Sequence, residues 1–258
     1  MYIGFFDSGI GGITVLYEAL KVLPNEDYIY YADVKNVPYG NKSKDEIREY
    51  IFKAADFIVN QGVKALVIAC NTATSAAIKD LREKYSVPII GMEPAVKPAV
   101  EKNGNNNKRV LVTATAFTLK EEKLMNLIEK LDNENIVDLL PLPGLVEYAE
   151  KFEFSEDVVR AYLQQELRRY DLNLYGTIVL GCTHFPIFRN IFRKVLPESI
   201  DIIDGNMGTV KYLKKILKEK GNINEGTGKI LFYNSGIEAD DSRISAYEGL
   251  FTHLREIE

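Results

Sequence analysis

Three scarcities narrow the reading of this 258-residue chain before any motif is considered. Basic charge is not in excess: 32 Lys and Arg stand against 37 Asp and Glu, a formal charge of -5. The Lys/Arg-rich pieces at 189–194 and 211–220 fall at helical spacing among apolar residues, as solvated helix faces do. Nucleic acid is therefore not expected as a partner. Long apolar runs are missing too; none approaches the ~18 residues that a membrane span needs. Met1 leads straight into Tyr2-Ile3-Gly4-Phe5-Phe6, with no basic stretch or cleavable apolar segment before it. A cytoplasmic protein with no membrane partner is expected. Cysteine and histidine are each limited to two, Cys70 with Cys182 and His184 with His253. In a cytoplasmic setting the cysteines read as free thiols. No paired ligand spacing joins them to a histidine, so no metal is expected, and no Cys-x-x-Cys motif marks a redox pair.

What the chain does contain is a repeated alternation of strand-like and helix-like segments. Strands are expected at 2–6, 27–31, 65–69 and 87–91, with helices at 13–23, 44–61 and 74–85 between and after them. Glu93-Pro94, Lys97-Pro98 and the polar insert 102–108 then break the rhythm. It resumes with strands at 110–113, 136–140, 177–180 and 200–203, and helices at 119–131, 155–170 and 187–195. A tail follows: helix 210–220, strand 229–233 and helix 244–254. Strands and helices alternating in this way imply right-handed crossovers and parallel sheets. The expected fold is α/β, with two pseudo-symmetric open parallel-sheet domains facing each other across an active-site cleft. Residues 1–95 with 210–258 would form the first and 96–209 the second.

Both cysteines occupy the same place in this pattern. Val67-Ile68-Ala69-Cys70-Asn71-Thr72 and Ile178-Val179-Leu180-Gly181-Cys182-Thr183-His184 each end an apolar strand, the third of its half, just before a helix. In parallel sheets that junction is where ligands bind. A lone cysteine is often an inert core residue. Here polar neighbours follow each one, and a helix start lowers a thiol's pKa, so thiolate chemistry is expected at both. Asp7-Ser8-Gly9-Ile10-Gly11-Gly12 lies between the first strand and first helix, where free N–H groups suit an anion. A dinucleotide fingerprint is the rival reading. Its third glycine falls on Thr14, although Asp33 ends the second strand where a ribose-binding acid would lie. Val37-Pro38-Tyr39-Gly40 reads as a rigid loop on the same sheet edge as Cys70.

Papain-like catalysis would use one cysteine and leave the other idle. Inversion of a carbon stereocentre uses both, one removing the α-proton and the other protonating the opposite face. Each sulfur would then lie about 3–3.5 Å from the reacting carbon, and the two roughly 7 Å apart. An ordinary thiol is only a few per cent ionised at neutral pH, so each needs an ionic neighbour. An acid such as Asp7 would serve one, and His184 the other. Helix-start N–H groups with the Asn71 and Thr183 side chains would stabilise the carbanion.

These blocks, Asp-Ser-Gly-Ile-Gly-Gly (7–12), Ala-Asp…Pro-Tyr-Gly (32–40), Ala-Cys-Asn-Thr-Ala (69–73) and Gly-Cys-Thr-His-Phe-Pro (181–186), resemble in order and spacing those of bacterial glutamate racemase. The resemblance covers nearly the whole chain. It implies interconversion of L- and D-glutamate without cofactor or metal, to supply D-glutamate for peptidoglycan, by a homodimer. Cys70 would handle the D-enantiomer's proton with help from Asp7. Cys182 would handle the L-enantiomer's, assisted by His184 and by Glu150, with Glu147 one helical turn away as the other choice of acid. Asp7, Ser8, Tyr39, Gly40, Asn71, Thr72, Thr115, Thr118, Thr183 and His184 would hold the substrate. The sequence departs from the family's usual residues at Glu121, Leu124, Leu142, Phe185 and Gly205. Two alternatives remain: a relative acting on aspartate, another amino acid or a hydantoin, and a binding or inhibitor protein that keeps the scaffold without turnover.

Overall fold

The computed structural model describes residues 1–104, 106–223 and 226–258. Among the described residues ten strands run in chain order: β1 (Ile3–Asp7), β2 (Tyr28–Ala32), β3 (Ala65–Ile68), β4 (Ile89–Gly91), β5 (Arg109–Ala114), β6 (Val137–Pro141), β7 (Tyr175–Leu180), β8 (Asp201–Asp204), β9 (Ile230–Asn234) and β10 (Ile237–Glu238). They form two sheets, ordered β10-β9-β2-β1-β3-β4 and β6-β5-β7-β8. Apart from the tail strands β9 and β10, both sheets follow one plan. The unit's second strand lies beside its first, then come the third and fourth. All these pairings are parallel. Strand order therefore reverses between the first and third strands in each unit, and there a parallel sheet opens a crevice at its carboxyl edge. Cys70 follows β3 and Cys182 follows β7, at matching positions. The duplication expected from segment order is plain in the topology.

The first sheet is not wholly parallel, because β10 folds back antiparallel on β9. Gly236 makes that hairpin possible; at φ 86° it adopts a conformation few other residues tolerate. The tail does return to the first unit. β9 pairs with β2, and the helices Asn206–Glu219 and Asp241–Glu256 pack on Ile13–Val22. The first of these helices starts at Asn206, so the expected boundary at 209/210 falls inside it.

Strand periodicity divides the apolar residues between layers. On β1, Ile3 and Phe5 enter a core that continues through Leu145, Phe188, Phe192 and Leu250, so it joins both units. Phe6 points to the other face, among Ile51, Ile58 and Leu81. Packing of this kind fixes the two crevices relative to each other.

Two helices were not expected from the sequence, one of them where Lys97-Pro98 was read as a break. Val96–Asn103 carries Pro98 in its first turn, and Pro143–Glu150 begins on Pro143. First-turn N–H groups have no intrahelical partner, so proline costs little there. The helix expected at 119–131 is instead two, Ala116–Lys120 and Glu122–Leu131, divided by the extended backbone of Glu121. Asn105 of the polar insert 102–108 lies outside the described residues. Among the described residues, no helix is long and apolar enough to cross a membrane.

Candidate active site

Cys70 and Cys182 line one cavity of about 100 Å³ at the carboxyl edges of both sheets. Ser8, Tyr39, Gly40, Asn71, Thr72, Thr115, Thr183 and His184 share its wall. Sequence reasoning missed Asn41, Ala116, Pro143 and Val146, which also line it, together with Pro38 of the Pro-Tyr-Gly loop and Glu147. Asn41 adjoins a recognised block; Ala116, Pro143 and Val146 belong to helices that only the fold brings here. Among the described residues the lining contains no lysine or arginine, so an anionic ligand would be met by hydroxyls, amides and backbone N–H groups.

Two residues expected to contact the ligand do not line this cavity. Asp7 and Thr118 are fully buried and stand behind the wall, outside the lining. Asp7 accepts from Gly9 N at 2.9 Å and Thr183 Oγ1 at 3.1 Å. Thr118 Oγ1 braces Thr72 and Thr115, at 3.1 and 3.0 Å. Tyr39 lines the cavity, but its hydroxyl donates to Asp33 Oδ2 at 2.6 Å. Asp33 also accepts from Asn36 and Ser235, which makes it the anchor of the Pro-Tyr-Gly loop. The ribose-acid reading of Asp33 is thereby overturned, since its oxygens are already engaged.

The glycine block has an equally specific occupant. Ile10 N donates to Glu150 Oε1 at 2.8 Å, so the anion at this turn is the protein's own carboxylate. A Cβ on Gly9 would lie 1.8 Å from that oxygen, and one on Gly11 2.5 Å from His184 Nδ1. Thr14 Oγ1, where the dinucleotide pattern wants glycine, donates to Thr183 O at 3.0 Å. The block is a docking face for the loop that carries Cys182.

The thiols have unlike surroundings. Cys182 Sγ lies 3.6 Å from His184 Nδ1, and His184 Nε2 lies 2.6 Å from Glu150 Oε1. Glu150, not Glu147, therefore meets the imidazole; Glu147 is exposed and lies on the cavity wall. Burial opposes charge on His184. The hydrogen bonds to Cys182 and Glu150 outweigh it and hold the ring's pKa well above its usual value. Cys70 caps the helix Asn71–Lys84 and accepts from Ala73 N at 3.4 Å. Even so, burial first and the Asp7 carboxylate second push its thiol up to about 12. The expectation that a helix start would make Cys70 acidic is corrected: one N–H contact cannot offset lost hydration and a neighbouring carboxylate.

Asn71 adds a different observation. Its Oδ1 and Nδ2 are both buried and have no hydrogen-bond partner among the described residues. Leaving such groups unmet costs about 1–3 kcal/mol each, so a ligand that pairs with them gains from doing so. Asn71→Leu is expected to raise KM roughly 10–100-fold, equivalent to about 1.4–2.8 kcal/mol. Steady-state kinetics of the variant check this, and an unchanged KM would remove Asn71 from substrate recognition.

Two thiols at equivalent strand ends of a duplicated α/β scaffold, set in one cavity with separate titrating neighbours, define a class: a racemase or epimerase with two acid–base groups. Residues 16–213 match the family model described as Asp/Glu/Hydantoin racemase. "Glutamate racemase 2" of Bacillus subtilis (strain 168) is 59% identical over 257 residues, 99% of this chain and 97% of the relative. Glutamate racemase of Halothermothrix orenii is 60% identical over 249 residues, 96% and 97% of the two chains. Among solved structures, the Francisella tularensis glutamate racemase in complex with D-glutamate superposes with a TM-score of 0.81. It is 30% identical, over 97% of this chain and 93% of that one. The chain belongs to the Asp/Glu/Hydantoin racemase family, on its glutamate racemase branch.

Proposed function

We propose that the protein interconverts L- and D-glutamate by moving protons between Cα and two cysteines, and so supplies D-glutamate for peptidoglycan. The observation that carries this reading is the shared cavity: two thiols from equivalent strands, one beside an imidazole and the other beside Asp7. In the L-to-D direction Cys182 takes the Cα proton, and the protonated ring of His184 stabilises the negative charge on its sulfur. Cys70, kept protonated by its surroundings, delivers a proton to the opposite face. In the reverse direction Cys70 is the base. The substrate's α-ammonium then brings a cation to a cavity that has no lysine or arginine in its wall. Ser8, Asn71, Thr72, Thr115 and Thr183 hold the carboxylates and stabilise the enolate-like charge. Asp7 orients Thr183 and sets the field at Cys70. Thr118 positions the two threonines in front of it. The working assembly we expect is a homodimer in the cytoplasm, checked by light scattering and cell fractionation.

Incubation with L-glutamate in deuterated water tests the reading. D-glutamate carrying deuterium at Cα is the expected product. Exchange on aspartate or a hydantoin alone would reassign the substrate, and no exchange with intact thiols would leave a binding protein.

The surroundings of the two sulfurs predict unequal reactivity in the substrate-free protein. Their exposures are nearly the same, 5% and 6%, so access does not separate them. Iodoacetamide at neutral pH is expected to alkylate Cys182 at least about tenfold faster than Cys70, since the thiolate is the nucleophile. Peptide mass spectrometry over a time course reads the order. Equal rates would mean that the Asp7 and His184 environments do not control the thiols.

A further inference from the structure

The wall of the substrate cavity is uneven in exposure. Cys70, Asn71, Cys182, Thr183 and His184 are buried and form its floor. Asn41, Pro143 and Glu147 are the exposed members of its lining and mark where it meets solvent. Two of these three carry no charge. Glu147 is thus the charged side chain at the mouth, and the only carboxylate in the lining among the described residues. One helical turn on, Glu150 is engaged by His184 and by Ile10 N. No cation pairs with Glu147 among the described residues, and no lysine or arginine lines the cavity to offset it.

We infer that Glu147 is a specificity-determining residue, whose charge at the mouth turns away dicarboxylic acids that carry no ammonium group. The inference rests on the glutamate reading above. A bare carboxylate at the entrance opposes every anion the cavity admits, and the walls of a cleft focus such a field. Glutamate carries two carboxylates and an ammonium, a single net negative charge. Glutarate has the same carbon chain and both carboxylates but no ammonium, so it carries two. The field at the mouth therefore weighs about twice as heavily on glutarate as on glutamate. Both lose affinity, and the acid that has no proton for the thiols to move loses more. Discrimination by a repulsive group is a general device where attractive contacts, here those to the carboxylates, are common to both ligands.

The quantity to measure is the inhibition constant of glutarate divided by the KM for L-glutamate, both from racemisation followed by polarimetry. Contacts that glutarate lacks at the floor are the same in every variant, as are the charges at Cys182 and His184, so a change in the ratio reads position 147. Glu147→Gln is expected to lower the ratio at least about threefold, and Glu147→Lys to lower it further. Glu147→Asp, which keeps the charge, should stay within about twofold of wild type. The site is exposed, so all three should melt near the wild-type temperature. Raising the ionic strength from about 0.01 to about 0.15 M shortens the screening length from about 30 to about 8 Å. That change should lower the wild-type ratio more than the ratio of Glu147→Gln. An unchanged ratio in Glu147→Gln overturns the inference. A ratio that moves equally in Glu147→Asp and Glu147→Gln reports shape rather than charge, and overturns it too. A wild-type protein that does not racemise glutamate would refute the underlying reading instead, and the inference would fall with it.

Discussion

Cys70→Ser and Cys182→Ser are each expected to lower glutamate racemisation by roughly 10³-fold or more, with the circular dichroism spectrum and melting temperature close to wild type. Serine nearly matches cysteine in volume, and both sites already contain hydroxyl partners: Ser8 near Cys70 at 3.6 Å, and Thr183 beside Cys182. The fold therefore has no reason to change. The chemistry does, because a hydroxyl is a far weaker acid than a thiol, and acid–base catalysis contributes about 10²–10⁴-fold per group. Stereochemistry sharpens the test. With Cys70 replaced, the remaining base faces L-glutamate, so residual wash-in of deuterium should be confined to that enantiomer. Cys182→Ser should show the converse. Near-wild-type racemisation by either variant would end the two-thiol account.

Gly11→Ala is expected to lower kcat by about 10²-fold and leave the protein folded. The added methyl would lie 2.5 Å from His184 Nδ1, 2.6 Å from Thr183 Oγ1 and 2.7 Å from His184 N. The last of these is backbone, so the clash cannot be relieved by turning a side chain. The Cys182–Thr183–His184 loop must retreat, and displacing a catalytic group by about 1 Å can cost 10²-fold. Gly9→Ala offers a milder comparison, because the three atoms nearest its Cβ all belong to the Glu150 side chain, the closest being Oε1 at 1.8 Å. If Gly11→Ala turned over at the wild-type rate, the glycine block would not be the seat of the catalytic loop.

Much of this molecule was legible in its sequence. Strand and helix periodicities located most elements, and the two apolar runs ending in Cys70 and Cys182 marked both crevices. The failures have specific causes. Pro98 was read as a break, but a proline in a helix's first turn breaks nothing. Glu147 and Glu150 lie one turn apart on one helix, so spacing could not choose between them. The choice depends on Ile10 N, 140 residues away in the chain. The glycine block was read as a ligand cradle because glycine signals close approach without saying of what.

By itself, then, the sequence determined the alternation of elements and the placing of two thiols at strand ends, since both follow from local periodicity. The tertiary structure alone decided which groups meet those thiols and that burial and Asp7 push the Cys70 thiol up. Burial and long-range contact govern proton affinity. The Asp7 carboxylate beside Cys70 and the Glu150-backed imidazole beside Cys182 come together only when the two sheets close on a common core.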